Sequence, residues 1–167
     1  GSTSSGEIDG SHISESQALF NFTVFKSSHC KIYEQGRGFD NCKDARIARS
    51  IDTTDLKAII TFASGLEVNG EKYIKTFEKE DLDVVIAGGL AGDCAEFEKT
   101  YVFSKNKIYS CGAVAVSLHG KKLYAHNECS FGWEAIGRKL KVTKAVDNKI
   151  YELNNQPVHE VYKNYLG

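Results

Sequence analysis

Apolar and polar positions first fall into a regular pattern along Ala18–Lys26, ALFNFTVFK, where Phe20, Phe22 and Val24 share one face and Asn21, Thr23 and Phe25 the other. This predicts a strand with apolar character on both faces. A turn around Ser27-Ser28-His29 then leads to Lys31–Gln35 as its antiparallel partner. Asp40–Ile51 changes period. Asp40 or Asn41 is placed to cap a helix, with Ala45, Ile47, Ala48 and Ile51 on one side. Leu56–Ala63, LKAIITFA, is a β-branched apolar run and reads as a buried strand closed by Ser64-Gly65. Asn69–Lys79 is a second helix, capped by Asn69, with Glu71 in its first turn and Tyr73, Ile74 and Phe77 facing inward. Asp83–Ala87 follows as a strand. Strand, helix and strand joined by short links predict a right-handed βαβ unit whose two strands are parallel neighbours.

The second half of the chain has shorter periods. Thr100–Phe103, Lys107–Tyr109, Ala113–Leu118, Leu123–Cys129 and Lys139–Ala145 read as successive strands, with His119-Gly120-Lys121 as an exposed hairpin turn. Asp147-Asn148 turns the chain into Ile150–Leu153. The last stretch is a helix opened by Pro157, with Val158, Val161, Tyr162 and Tyr165 inward and Gly167 as its stop. The fold class expected is α+β: a mixed, largely antiparallel sheet packed with about three helices and containing one βαβ unit.

Composition narrows the function classes. The 167 residues suit one domain with a substantial core, and the 41% hydrophobic and 26% charged content is that of an ordinary globular chain. A net charge of −1 with interspersed signs and no basic stripe argues against a nucleic-acid partner. No apolar run approaches the roughly 18–20 residues of a membrane span, so no membrane contact by this segment is expected. Together with the absence of a signal peptide pattern, this predicts a cytoplasmic setting. The chain holds no methionine, which predicts a piece cut from a longer or processed protein. Its five cysteines are odd in number and show no C-x-x-C pair, so free thiols are expected.

The richest stretch for chemistry is Asp83–Asp93, DVVIAGGLAGD, in which an apolar run stops at paired glycines and a carboxylate follows. One reading lets the backbone N–H groups at Gly88, Gly89 and Gly92 approach an anionic group while Asp93 takes an amine. The other is a turn needing positive φ, with Asp93 bonding its own backbone. No G-K-[ST] follows and no G-x-G-x-x-G is present, so ATP and NAD are not expected ligands. Trp133, Glu134 and Arg138, set between Gly132 and Gly137, offer an aromatic face, a carboxylate and a guanidinium that suit an amino-acid zwitterion. The alternative is a core tryptophan with solvated charges. Of the five histidines, His126 is the weak candidate for a haem ligand, since it would project from a strand. No zinc spacing and no nucleophile elbow occur, and Asp93 and Glu134 are not placed within reach of each other by sequence. A non-catalytic module is therefore expected, with no resident cofactor unless haem binds.

Three blocks now stand in order: GSTSSGEI at the start, GGLAGD followed by TYVF and GAVAVSLHG in the middle, and FGWEAIGRKLKVTKAVDNKIYELNNQPVHEVYKNYLG at the end. Together they resemble the N-terminal part of a FIST domain. The middle block matches at Gly88, Gly89, Ala91, Gly92 and Asp93, and the last at Gly132, Trp133, Ile136, Gly137, Val142, Thr143 and Ala145. Ser2 stands where the family often has cysteine. The resemblance implies a sensory input module, of the kind found in bacterial chemoreceptors and histidine kinases, that binds a small molecule and signals to a covalently attached output domain. Taken with the candidate residues above, it leads us to expect an amino-acid-like or other small anionic ligand between GGLAGD and the FGWEAIG block. It leaves two alternatives: a haem-binding nitric-oxide or gas sensor, and a protein-interaction module like those of F-box relatives. Family members carry a strand and helix before the first block and a C-terminal half after the last. A single sensory domain, trimmed at both ends, is expected. A missing strand leaves a sheet edge exposed or covered by a partner chain, which puts a homodimer among the expected assemblies.

Overall fold

Alternate side chains of the run Leu56–Ala63 go to opposite sides of a sheet; Ile59, Thr61 and Ala63 are buried on one side, while Ile60 on the other is exposed and Phe62 half-buried, which is why the run is mostly apolar. A computed structural model describes residues 1–36, 46–129, 132, 134–135, 137–146 and 149–166. They form two units, Gly1–Glu128 and Cys129–Gly167. In chain order the first unit holds β1 (Glu7–Asp9), β2 (His12–Ser14), β3 (His29–Gln35), α1 (Arg46–Ser50), β4 (Leu56–Ala63), α2 (Gly70–Glu78), β5 (Val85–Leu90), β6 (Val102–Ser104), β7 (Lys107–Tyr109) and β8 (Ala113–His119). The second holds β9 (Val142–Val146), β10 (Lys149–Leu153), β11 (Gln156–Pro157) and α3 (Val158–Leu166). The fold is α+β, with several mostly antiparallel sheets and three helices among the described residues.

The main sheet runs β3-β8-β4-β5. Only β4 and β5 are parallel, in register from Ala58 opposite Val85 to Ala63 opposite Leu90, with α2 connecting them. The expected βαβ unit is present. Asn69 caps α2 as the sequence predicts, its Oδ1 accepting from Lys72 N at 3.0 Å. Tyr73 and Phe77 of α2 are buried edge-to-face, with ring centroids 5.3 Å apart, against Ile59 and Ala63 of β4 and Ala113 and Ala115 of β8. Burying a side chain such as Phe77 contributes about 2–3 kcal/mol. The Tyr73 hydroxyl keeps a partner inside this layer, Thr61 Oγ1 at 2.6 Å. On the opposite face a smaller cluster of Ala91, Val102 and Val114 packs with Phe62 and Tyr109 near the carboxyl ends of β4 and β5.

In the second unit β10 lies between β9 and β11, antiparallel to both. Asn154 and Asn155 link β10 to β11 with φ of 51° and 61°, the left-handed pair that a two-residue hairpin turn demands and asparagine tolerates. The expected Asp147-Asn148 turn lies outside the described residues, as does residues 40–45 of the expected first helix.

Several expectations are corrected. Residues 18–26 are not a strand, and Lys31–Gln35 pairs with β8 instead. Alternation yields a strand only where one face is covered, and Phe20, Phe22 and Val24 are all exposed. Leu123–Cys129 likewise forms no strand. The chain opens with a short hairpin, β1–β2, whose mostly polar strands gave no periodic signal. His119 is no exposed turn residue: it ends β8, fully buried. Ile74, Tyr162 and Tyr165 are exposed, so the inner faces of α2 and α3 are narrower than their apolar patterns suggest. Finally, β5 does not stop at Ala87. It continues through Gly88 and Gly89, because Gly88 (φ 145°) brings its backbone so close to Thr61 O of β4 that a Cβ would lie 1.7 Å away. The glycines extend the strand where a turn was expected.

Candidate functional site

The carboxyl ends of β4 and β5 meet the amino-terminal residues of the chain. Ala91 N donates to Ala63 O at 2.8 Å, continuing the parallel ladder one step, and Gly92 N donates to Thr3 O at 3.1 Å. Thr3 N in turn donates to Tyr101 O at 2.8 Å, and Ser2 bridges Val102. The approach is close: a Cβ on Gly92 would lie 2.2 Å from Ser5 Oγ and 2.9 Å from Ser5 N. Thus GSTSSGE and GGLAGD, distant in sequence, are built against one another, and Gly92 is glycine because another backbone crosses it.

Beyond Gly92 the chain makes a tight loop. Asp93 Oδ2 accepts from Glu98 N at 2.8 Å and Lys99 N at 3.2 Å, so the carboxylate does bond its own loop. Its Oδ1 accepts no hydrogen bond from a described residue. Cys94, Ala95 and Phe97 have φ of 54°, 63° and 55°, left-handed conformations that cost non-glycine residues about 1–2 kcal/mol each. Buried Thr100 fastens the far end, its Oγ1 accepting from Gly65 N at 2.9 Å.

These elements border an open pocket of about 270 Å³ at the carboxyl edge of the two parallel strands, lined among others by Ser5, Leu66, Leu90, Asp93, Phe97 and Thr100. Sheets of this kind open their crevices at that edge. The described lining combines apolar side chains with the hydroxyls of Ser5 and Thr100 and carries one formal charge, that of Asp93. The volume suits a metabolite of amino-acid size.

Of the residues expected to bind ligand, Gly92 and Asp93 line this pocket, whereas Gly88 and Gly89 lie upstream in β5. Arg138 lines a different pocket, of about 250 Å³, within the second unit. Glu134 is exposed, and Trp133 lies outside the described residues. His126 is exposed and sits on no strand, so the reason for choosing it as a haem ligand is gone. Among the described residues no three His, Cys, Asp or Glu side chains group to hold a metal ion. Nor is any helix among them long and apolar enough to cross a membrane. Ser5, Leu66, Leu90, Phe97 and Thr100 were not anticipated. Leu90 is visible as the apolar residue inside GGLAGD, but the other four reach the pocket only through long-range packing.

The chain is similar to an uncharacterized protein, MJ1623, of Methanocaldococcus jannaschii, with 29% identity over 104 residues, which is 60% of this chain and 19% of that protein. The chain thus matches only about a fifth of that relative's length. No solved structure matches it. The family model for the FIST N domain matches residues 1–156 and so takes in the amino-terminal arm, the β4-α2-β5 unit and the pocket between them: the chain belongs to the FIST N family of signal-transduction sensory domains.

Proposed function

We propose that this chain is the ligand-receiving part of a sensory protein and that its ligand is a small amine-bearing, amino-acid-like metabolite held in the pocket of the first unit. The observation that carries this reading is the Asp93 carboxylate, which has one oxygen committed to its own loop and the other without a donor among the described residues, and which lines a pocket with no basic residue among those described. A primary ammonium supplies the missing donor, and a charge-assisted bond of this type contributes about 1.5–3 kcal/mol. The apolar part of the ligand packs on Leu66, Leu90 and Phe97, and Ser5 and Thr100 add hydroxyls to the lining. A purely anionic ligand fits this charge poorly, so the amine-bearing member of the two expected classes is favoured. Occupancy reaches the rest of the protein through the loop that Asp93 anchors and through the amino-terminal arm that Gly92 holds, and from there an attached output domain. No catalysis is part of this reading, since the described lining offers no nucleophile paired with a base.

Isothermal titration tests it. Amino acids and simple amines bind, their des-amino counterparts do not, and Asp93→Asn weakens binding roughly 10- to 100-fold. Equal binding of an amine and its des-amino counterpart, or an unchanged affinity in Asp93→Asn, overturns the assignment.

A further inference from the structure

The second unit has a pocket of its own, of opposite character. It lies between the residues leading into β9, the β10–β11 turn and α3, and holds about 250 Å³. Its floor is apolar, formed by Leu140, Leu153 and the buried Val161. Its polar lining can present donors from Arg138, from the amides of Asn154, Gln156 and Asn164, and from the Tyr165 hydroxyl. Arg138 makes no ion pair or hydrogen bond with any described residue. Asn154 has its side-chain oxygen committed to Lys141 N at 2.9 Å, which leaves its NH₂ group as what it can offer a ligand. Gln156 and Asn164 add two amides that can turn either way, and no carboxylate is among the described lining residues. The surrounding unit has the matching sign: residues 129–167 carry six Lys and Arg against four Asp and Glu, in a chain whose net charge is −1.

We propose that the second unit binds a small aliphatic carboxylate at Arg138, independently of the Asp93 pocket. The planar guanidinium takes the carboxylate through two parallel N–H···O bonds. The Asn154 amide supplies a further donor, and the short alkyl chain covers Leu140, Leu153 and Val161. The apolar floor selects a carboxylate with a hydrocarbon tail over a bare inorganic anion, because the tail buries apolar surface against those side chains whereas phosphate would lose hydration there with nothing to replace it. The volume limits the tail to a few carbons.

Isotope-edited NMR titration of the full 167-residue chain with isovalerate decides the matter, with isovaleramide and inorganic phosphate as comparisons. Isovalerate is expected to shift the amide signals of Asn154, Gln156 and Val161 saturably, and the uncharged amide and phosphate are not. Arg138→Gln, at an exposed position, should weaken isovalerate roughly 10- to 100-fold. Asn164→Trp, on the exposed side of α3, should block the pocket, and Asp93→Asn should leave isovalerate binding unchanged. The last variant separates this site from the amine pocket, so either proposal fails without the other. Absence of saturable shifts, equal shifts with phosphate, or undiminished binding in Arg138→Gln overturns the inference.

Discussion

His119 Nε2 lies 2.6 Å from Ser117 Oγ, and neither residue has any solvent exposure. The other ring nitrogen, Nδ1, stands 2.8 Å from Thr54 O. A carbonyl oxygen can only accept, so the ring proton belongs on Nδ1, and Nε2 accepts from the serine hydroxyl. The ring of His29, one strand over in β3, stacks on it with centroids 5.0 Å apart. The histidine thus joins the end of β8 to the loop before β4 and keeps every polar atom satisfied. Ser117→Ala removes the donor and leaves a buried acceptor unpaired, which should cost about 1–3 kcal/mol. A urea midpoint equal to that of the parent protein would show that the pair contributes nothing.

What the sequence reveals about this region, and what it hides, follows from how local the determining contacts are. β4 and α2 are legible because a β-branched run and an Asn69 cap are signals carried within a few residues. His119 is misread because His-Gly-Lys looks like a turn, and nothing nearby announces that Ser117 and Thr54 will receive the ring. The alternation of residues 18–26 is as good as that of a true strand, but Phe20, Phe22 and Val24 stay exposed, so the pattern has no covered face to act on among the described residues. In GGLAGD the sequence singles out Asp93, which lines the pocket, and misplaces the turn, because the same glycines that permit positive φ also permit the close approach of β5 to β4. The contact of Gly92 with Ser5 spans most of the first unit and is invisible without the fold.

That contact gives a second prediction. Gly92→Ala places a Cβ against the backbone of Ser4 and Ser5, which must move away. The hydrogen bonds from Gly92 N to Thr3 O and from Thr3 N to Tyr101 O then lengthen together. Overpacking of this kind costs about 1–3 kcal/mol. Amide hydrogen exchange should speed up at Gly92 and Thr3 while the amides of β4 and β8 stay protected. Exchange that is unchanged at Thr3 would mean that the arm is held elsewhere.

Surface ion pairs set a pH dependence whose sign can be worked out. Lys31 holds Asp52 far below its ordinary value of 3.8, Lys107 holds Glu34 below 4.5, and Lys75 holds Glu71 below 4.5. For these carboxylates the folded value lies beneath the unfolded one, so their contribution is complete above about pH 5 and disappears as the pH falls through the acid range. The lysines shift the other way: hydrogen bonding to the same carboxylates raises Lys31, Lys75 and Lys107 above 10.5, so their contribution is complete below that value and is lost as the pH climbs past it. Thermal midpoints should therefore be level from about pH 5 to pH 9 and decline on both sides. Because the pairs are exposed, added salt should flatten the decline. Asp52→Asn should shrink the acid limb, and an acid limb of unchanged size would remove the Lys31 pair from the account.

Phe97 separates a binding role from a folding role. It lines the Asp93 pocket yet is 75% exposed, and it sits in the left-handed stretch that Asp93 Oδ2 anchors through Glu98 N and Lys99 N. An aromatic side chain placed at a pocket mouth buries little on folding and much more once a ligand lies against it. Phe97→Ala should leave the urea midpoint within about 0.5 kcal/mol of the parent, as surface substitutions do. The same change should weaken an amine-bearing ligand roughly tenfold, the loss expected for one desolvated aromatic contact. Phe97→Leu should recover part of that affinity. A large fall in stability with unaltered affinity would reverse the assignment and make Phe97 a support of the loop.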